Sequence, residues 1–431
     1  MQTKNDSFVL STDKYKHVRP DWAFFLYFAT MFCLYTHTYI QLAIQLFIIA
    51  YVLYSKLRTG VLSLKKDTVR ILIFYACWMG LFAILVYLSK YWAYGSVADS
   101  KTTLTVFRIF AIGLAMFLYV DSGEKALSIL QSMAWAAFVL GVAVLLTSSP
   151  SEYFQTSESS GFGYNIGQQR NQVGCITAAM TFACMYLRKY TDFKYGNYLS
   201  VFFAIVTLLS GSRGSLIQIV LLFVLYISMD NNLFRMFFKL IVLALVGCII
   251  VLALKNIPIL YENIWVRFEN LFSTMSGTEL NDSSAMGRQF YKEIAFNMFK
   301  KKPILGWGVD GFVCYLLDNP EYNGYYIEAV YSHCNFSELS ACFGLVGLLI
   351  WYVPTYVMFG HSVKSFRKSP FTEMTTYLLL SMVVLDFARI PWETHLSSYI
   401  YFVVFLIIFW VNVDIKKEEK NLLANAEVDN K

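Results

Sequence analysis

The sequence predicts an all-α polytopic membrane protein, with about 12 transmembrane helices of ~20 residues each and one large extracytoplasmic segment. Three observations carry that expectation. Of 431 residues, 57% are hydrophobic and only 15% charged, against about 25% charged in soluble domains. The mean hydropathy is +0.51, with apolar runs repeated along the chain. Lysine and arginine concentrate in alternate connecting segments, as the positive-inside bias requires. A secreted or cytosolic enzyme, a nucleic-acid binder and a disordered scaffold are excluded.

The first twenty residues, up to Arg19-Pro20, are polar and basic. No small-residue cleavage site follows, so they read as a cytoplasmic tail rather than a signal peptide. From Trp22 to Tyr54 the chain is apolar but interrupted by Thr36-His37-Thr38, which suits a hairpin of two short spans. Further spans are expected at about 71–88, 103–120, 127–147, 170–187, 197–211, 214–229, 240–254, 335–358, 374–390 and 398–413. With both termini cytoplasmic, most of the 35 lysines and arginines fall on the cytoplasmic side. The long outer segment is largely exempt from the bias.

This gives an N-terminal bundle of about nine spans over 1–254 and an extracytoplasmic segment over 255–334. C-terminal spans follow over 335–413, with a cytoplasmic tail over 414–431. A connection of ~80 residues is functional or a small subdomain. Within it, 257–272 and 287–301 have helical apolar spacing with polar faces. Such segments suit interfacial helices, or equally the ordinary helices of a soluble cap. The eight cysteines show no metal spacing; most lie in apolar runs as small hydrophobes, while Cys314 and Cys334 share a polar loop where a disulfide is conceivable.

Ionisable groups at membrane depth are costly and usually functional. Arg108 lies near the outer end of the fourth span, Arg170 opens the sixth, and Arg213 sits between the seventh and eighth. Arg389 ends the eleventh, with Asp386 one turn earlier as a structural partner, and Arg267 and Arg288 lie in the external segment. A lone arginine at a span end ordinarily snorkels to the headgroups. Arg213 differs, because Gly211-Ser212-Arg213-Gly214 breaks a continuous apolar run. Irregular backbone at that depth must be buried or line a cavity, and its freed amides bind anions. Guanidinium forks take phosphate bidentately, so arginines gathered at one face suit a lipid-linked phosphate or diphosphate.

His333 stands just before the tenth span. His17 and His361 fall in cytoplasmic segments, and His37 and His395 on short outer turns. Imidazole accepts and returns protons near neutral pH, although a lone histidine at a helix start is more often a cap or surface residue. Asp282, Glu293, Asp310, Glu328 and Glu338 are outer carboxylates available to orient a base or hydrogen-bond a sugar. Outer tyrosines and tryptophans, among them Trp92, Trp307 and Tyr331, suit sugar stacking, with the interfacial aromatic belt as the plainer reading. No HExxH or DxD motif occurs, so no metal site is expected and no cofactor is called for.

The segments SGSRG (210–214), GRQFYKEIAFNMFKKKPILGWGVDGF (287–312) and SHCNFSELSACFGLVGLLIW (332–351) together resemble the signature of the O-antigen polymerase and O-antigen ligase superfamily. The shared pattern is Ser-Arg-Gly between spans, an arginine opening an amphipathic helix, a Pro-x-x-Gly-x-Gly turn ending in Phe, and His-x-Asn before a Gly-x-x-Gly span. Arg170-Asn171 resembles the family's start of a mid-chain span. The resemblance covers roughly 165–355; earlier residues match in hydropathy alone.

The resemblance implies a GT-C-like bundle in the bacterial cytoplasmic (inner) membrane. Its substrates would be undecaprenyl-diphosphate-linked glycan donors and acceptors at the outer face, with a chain-length regulator and a flippase as partners and no nucleic acid. Carried over by motif, His333 would activate the acceptor hydroxyl, and Arg213, Arg288 and Arg170 would bind the diphosphate. Arg108, Arg389, Asn335, Glu338 and Asp310 are supporting candidates. Cys334 stands where the family often has a small or polar residue. The expected activity is metal-independent, inverting polymerisation of repeat units into an O-antigen, capsule or exopolysaccharide. The alternatives are a ligase that transfers glycan to a lipid A core, and a flippase. A flippase should show an internal repeat with matched broken helices, and none is evident.

Overall fold

The computed structural model describes residues 15–34, 36–58, 65–95, 101–149, 152–153, 162–228, 232–258, 261–266, 269–270, 273, 283–319, 331–365, 368, 370–386 and 395–429. Among these it is all-helical. The helices are α1 (Trp22–Cys33), α2 (Thr38–Arg58), α3 (Lys66–Tyr91), α4 (Lys101–Tyr119), α5 (Gly123–Thr147), α6 (Arg170–Tyr190) and α7 (Gly196–Leu209). They continue with α8 (Arg213–Ser228), α9 (Leu233–Asn256), α10 (Ser283–Lys301), α11 (Gly311–Asp318), α12 (Asn335–Lys364), α13 (Pro370–Leu385) and α14 (His395–Asp429). Every expected span coincides with one of them. Seven are long and apolar enough to cross a membrane, and α1, α7 and the first part of α8 are shorter apolar helices. The protein is a polytopic all-α membrane protein.

Burial sorts the helices by role. The membrane-length part of α14 is 83% buried, whereas α9 is only 6% buried. A helix apolar on every face belongs either inside a protein or in lipid, and these two are the two cases. Around α14, Trp78 packs on Trp351 and Phe405, and Tyr75 stacks on Phe117 at 4.3 Å. Helix α6 carries polar and small residues on its buried face, among them Thr177, Thr181 and Gly174. Its Thr177 hydroxyl meets that of Thr207 on α7 at 2.7 Å.

One end of the bundle is stapled by polar contacts. Asp21 caps α1 through the amides of Ala23 (2.9 Å) and Phe24 (3.3 Å) and accepts from the hydroxyls of Tyr51 and Tyr119. Lys56 and Lys125 both reach Asp121 at 3.0 Å, and Tyr15 donates to Asp414 at 2.8 Å.

At the opposite end, main-chain bonds do the fastening. Helix α12 breaks at Gly344, which adopts φ 59°, ψ −152°. The carbonyls of Ala341 and Cys342 then accept from the amides of Trp307 (3.0 Å) and Gly308 (2.7 Å). The amides of Leu345 and Val346 donate to the carbonyls of Pro303 (2.8 Å) and Ile304 (3.1 Å). The Pro303–Gly308 turn thus substitutes for one missing helical turn. It also grips the end of α3: Tyr94 donates to the Trp307 carbonyl (2.8 Å), and Val309 donates to the Ser89 hydroxyl (2.9 Å).

The turn fixes α10 before it and α11 after it. Helix α10 buries Tyr291, Ile294, Ala295 and Met298, one face at helical spacing, and packs on α12. It is therefore a cap helix seated on protein rather than an interfacial one. The other amphipathic segment, 257–272, is described only in part and contains a short wide turn at Tyr261–Trp265. Cys314 and Cys334 are both free thiols.

A side chain at Gly344 would place its Cβ 2.5 Å from the Ile304 carbonyl oxygen, and the positive φ is itself costly for any other residue. Gly344→Val should therefore cost a few kcal/mol, on the order of other strained-backbone lesions. A clearly lowered unfolding midpoint in detergent is expected; an unchanged midpoint would show that the break is not needed.

Candidate functional site

The predicted residues form two groups toward the end of the bundle held by the Pro303–Gly308 turn. The first is built on helix N-termini. Arg170 is the first residue of α6, after Gln169, whose side chain makes no capping bond. Its position is set by Gln168, which donates to the Phe32 carbonyl at the end of α1 (2.6 Å). Arg213 is the first residue of α8. Gly211, at φ 61°, ends α7, and the Ser212 carbonyl accepts from Ser215 (3.1 Å) and Leu216 (3.0 Å) to start α8. A Cβ on Gly174 would lie within 3.0 Å of Ser210, Ser212 and Ser215, so this turn lies directly on α6 one turn below Arg170. Two adjacent helices thus each begin with a half-buried arginine. Their positive dipole ends favour an anion.

The second group surrounds His333. This residue is half-buried with φ 56°, one of two described non-glycine residues at positive φ. The chain is clamped on both sides. The Ser332 amide donates to the Glu338 carboxylate (2.7 Å), the Ser332 hydroxyl to the Cys334 carbonyl (3.0 Å), and the Asn335 amide to the Asp386 carbonyl (2.7 Å). Such backbone is held only where its surroundings over-determine it, as at functional sites. The imidazole lies between Tyr331 (ring centroids 4.3 Å apart) and Tyr291 (6.1 Å, stacked). Burial, and then the neighbouring Arg288 guanidinium, push its pKa down to about 4. It is therefore neutral at pH 7, with a lone pair available. Arg288 lies three residues before Tyr291 on α10, so both project from one face toward His333.

Helix α13 is common to both groups, packing against α6 and α8 as well as α12 and α14. Asp386, at its end, is buried and accepts from Asn335 Nδ2 (3.1 Å) and the Tyr401 hydroxyl (2.7 Å). Asn335 also donates to the Tyr352 hydroxyl (3.1 Å). Its buried Oδ1 finds no acceptor use among the described residues, the kind of orphan that a water or bound hydroxyl satisfies.

The other candidates take varied places. Asp386 is bound to Asn335 and Tyr401, while its expected partner Arg389 lies outside the described residues, as do Arg267, Asp282 and Glu328. Glu338 is 1% exposed and holds the Ser332 amide, so it shapes the histidine loop instead of meeting sugar. Asp310 accepts from the Thr102 hydroxyl at 2.7 Å. Glu293 accepts from Gln289 on the same helix (3.2 Å). Arg108 does not snorkel: Nε donates to Gln45 (2.8 Å) and Nη2 to Gln41 (3.3 Å) on α2. Trp92 and Trp307 donate to the carbonyls of Leu305 (3.3 Å) and Met298 (2.8 Å), which makes them scaffold. Tyr291 was missed, although its spacing from Arg288 was there to be read.

Residues 198–352 match the family model described as O-antigen ligase. That span contains Arg213, Arg288 and His333, and excludes Arg170. No curated protein matches the chain.

With burial as the larger cause and Arg288 as the second, Arg288→Gln should raise the His333 pKa while leaving it below the ordinary 6.5. The pH dependence of His333 carbethoxylation, read by peptide mass spectrometry, checks this. An unmoved inflection would separate the two side chains.

Proposed function

From the match of residues 198–352 to the O-antigen ligase family model, we infer that the chain is a membrane glycosyltransferase joining undecaprenyl-diphosphate-linked repeat units into a surface polysaccharide. The observation that carries the reading is His333: a neutral imidazole on a clamped loop, beside Arg288, at the bundle end where Arg170 and Arg213 open two helices.

In this reading Arg213 and Arg170 grip the donor diphosphate, combining bidentate guanidinium bonds with helix amides. The acceptor hydroxyl attacks C1 of the donor sugar, and the C1–O bond to the diphosphate breaks with inversion. His333 takes the hydroxyl proton, and undecaprenyl diphosphate leaves with its developing charge met by the arginines. An imidazole near pKa 4 is a weak base. Two phosphate charges beside it offset the Arg288 field and raise its proton affinity. The base thus strengthens only when a donor is bound. Asn335 Oδ1 is a second acceptor near the incoming hydroxyl, and Asp386 and Glu338 hold the loop.

The second reading is a ligase, favoured by the description of the matched family. Donor and chemistry are the same; the acceptor would be a lipid A core. Offering each acceptor to the purified protein with one lipid-diphosphate donor distinguishes the two.

His333→Ala should lower glycan transfer by roughly 10²–10⁴-fold, the usual contribution of a general base, with membrane insertion unchanged. The assay is release of longer glycans from a lipid-diphosphate oligosaccharide, and wild-type product from the variant would reject the role. Arg213→Lys keeps the charge but loses the fork, a loss of about 1.5–3 kcal/mol or roughly tenfold to a hundredfold. The acid limb of kcat/KM, which reports the free enzyme, should fall near pH 4 instead of 6.5, with activity rising as the imidazole loses its proton. A limb at 6.5 would mean a solvated histidine.

A further inference from the structure

At the end of the bundle opposite His333, helices α3, α12 and α14 enclose a cavity of about 520 Å³. His361, on its wall, lies 17 positions beyond the Gly344 break on α12, about 25 Å at 1.5 Å per residue. The cavity is therefore separate from the proposed transfer site. Its inner walls are apolar, including the buried Ile71 and Met358 and the half-buried Phe409. Its outer lining is cationic: the exposed side chains of Arg70, Lys416, Lys417 and Lys420. One carboxylate, Asp67, lines it, 3.5 Å from Arg70. Among the other acids of that stretch of α14, Glu419 pairs with Lys368 (2.7 Å), Asp414 accepts from Tyr15, and Glu418 also acts on Tyr15.

We propose that this cavity binds the phosphate headgroup of an anionic phospholipid, with an acyl chain in the slot between the three helices. A cationic rim over an apolar interhelical slot matches an amphiphile of that charge, as basic pockets between membrane helices do generally. A free phosphate uses the rim and leaves the apolar walls wet, and its size is far below the cavity's. The lipid belongs to the leaflet that the charge bias makes cytoplasmic. It bridges α3, α12 and α14, whose opposite ends carry the Pro303–Gly308 contacts and the histidine loop.

The test is native mass spectrometry of the purified full chain in detergent, titrated with phosphatidylglycerol, phosphatidylethanolamine or inorganic phosphate. At least tenfold preferential retention of phosphatidylglycerol is expected, with no comparable effect of inorganic phosphate. Arg70→Glu/Lys416→Glu/Lys420→Glu should abolish the preference. Arg188→Glu/Lys189→Glu/Lys194→Glu, an equal charge change at the same end outside the cavity, should keep it. If the first variant does not fold, as judged by size exclusion, Lys416→Gln/Lys417→Gln/Lys420→Gln replaces it and should lose most of the preference. Equal loss in the control, equal retention of the two lipids, or phosphate binding as well as lipid would each overturn the proposal.

Discussion

The pairing between the broken helix α12 and the Pro303–Gly308 turn is the constraint on which the rest depends. At Gly344 the helical ladder stops, and four main-chain groups need partners: two carbonyls and two amides. At membrane depth each unpaired group costs several kcal/mol. The turn supplies all four partners from its own backbone. Because α10 runs into this turn and α11 leaves it, Arg288 and Tyr291 are indexed to the helix that begins beside His333. Main-chain bonds, indifferent to side-chain chemistry, set the distance between a guanidinium and an imidazole.

Beneath that pair lies a buried polar floor. Asp386, Asn335, Tyr352 and Tyr401 tie three helices together, while Glu338 reaches back to the Ser332 amide. Partly satisfied networks of this kind are expensive, and fully satisfied ones specify a single arrangement. Here every donor on Asn335 is used and one acceptor is open among the described residues. Rigidity and an available lone pair therefore coexist in one side chain.

Hydropathy is a local property, so each apolar segment from 22 to 413 could be read as a helix from its own composition. The break at Ser210–Arg213 was readable for the same reason: small polar residues inside an apolar run have few structural uses. Arg213, Arg288 and His333 could be picked out as candidates, and the match to residues 198–352, which contain them, agrees with the family that their motifs resemble. Other features were not legible because they depend on atoms distant in sequence. Arg108 looked like a headgroup anchor until Gln41 and Gln45, over sixty positions away, supplied acceptors inside the bundle. Glu338 looked available for substrate because nothing in its neighbourhood shows that it turns back to an amide. The Pro303–Gly308 signature was visible as a motif, but its purpose lies in carbonyls, which leave no mark in a sequence. The left-handed backbone of His333 is equally silent, since histidine tolerates it without advertising it.

Helix α9 differs from all of these in how its place is set. With 6% of its membrane-length stretch buried, it has few neighbouring side chains to fix its tilt, and a mismatch with the hydrocarbon thickness is taken up by tilting. It also leads directly into the chain that carries α10. The lipid around the protein thereby does for this helix what packed side chains do for the others. Micelles, which impose no fixed thickness, remove that reference altogether.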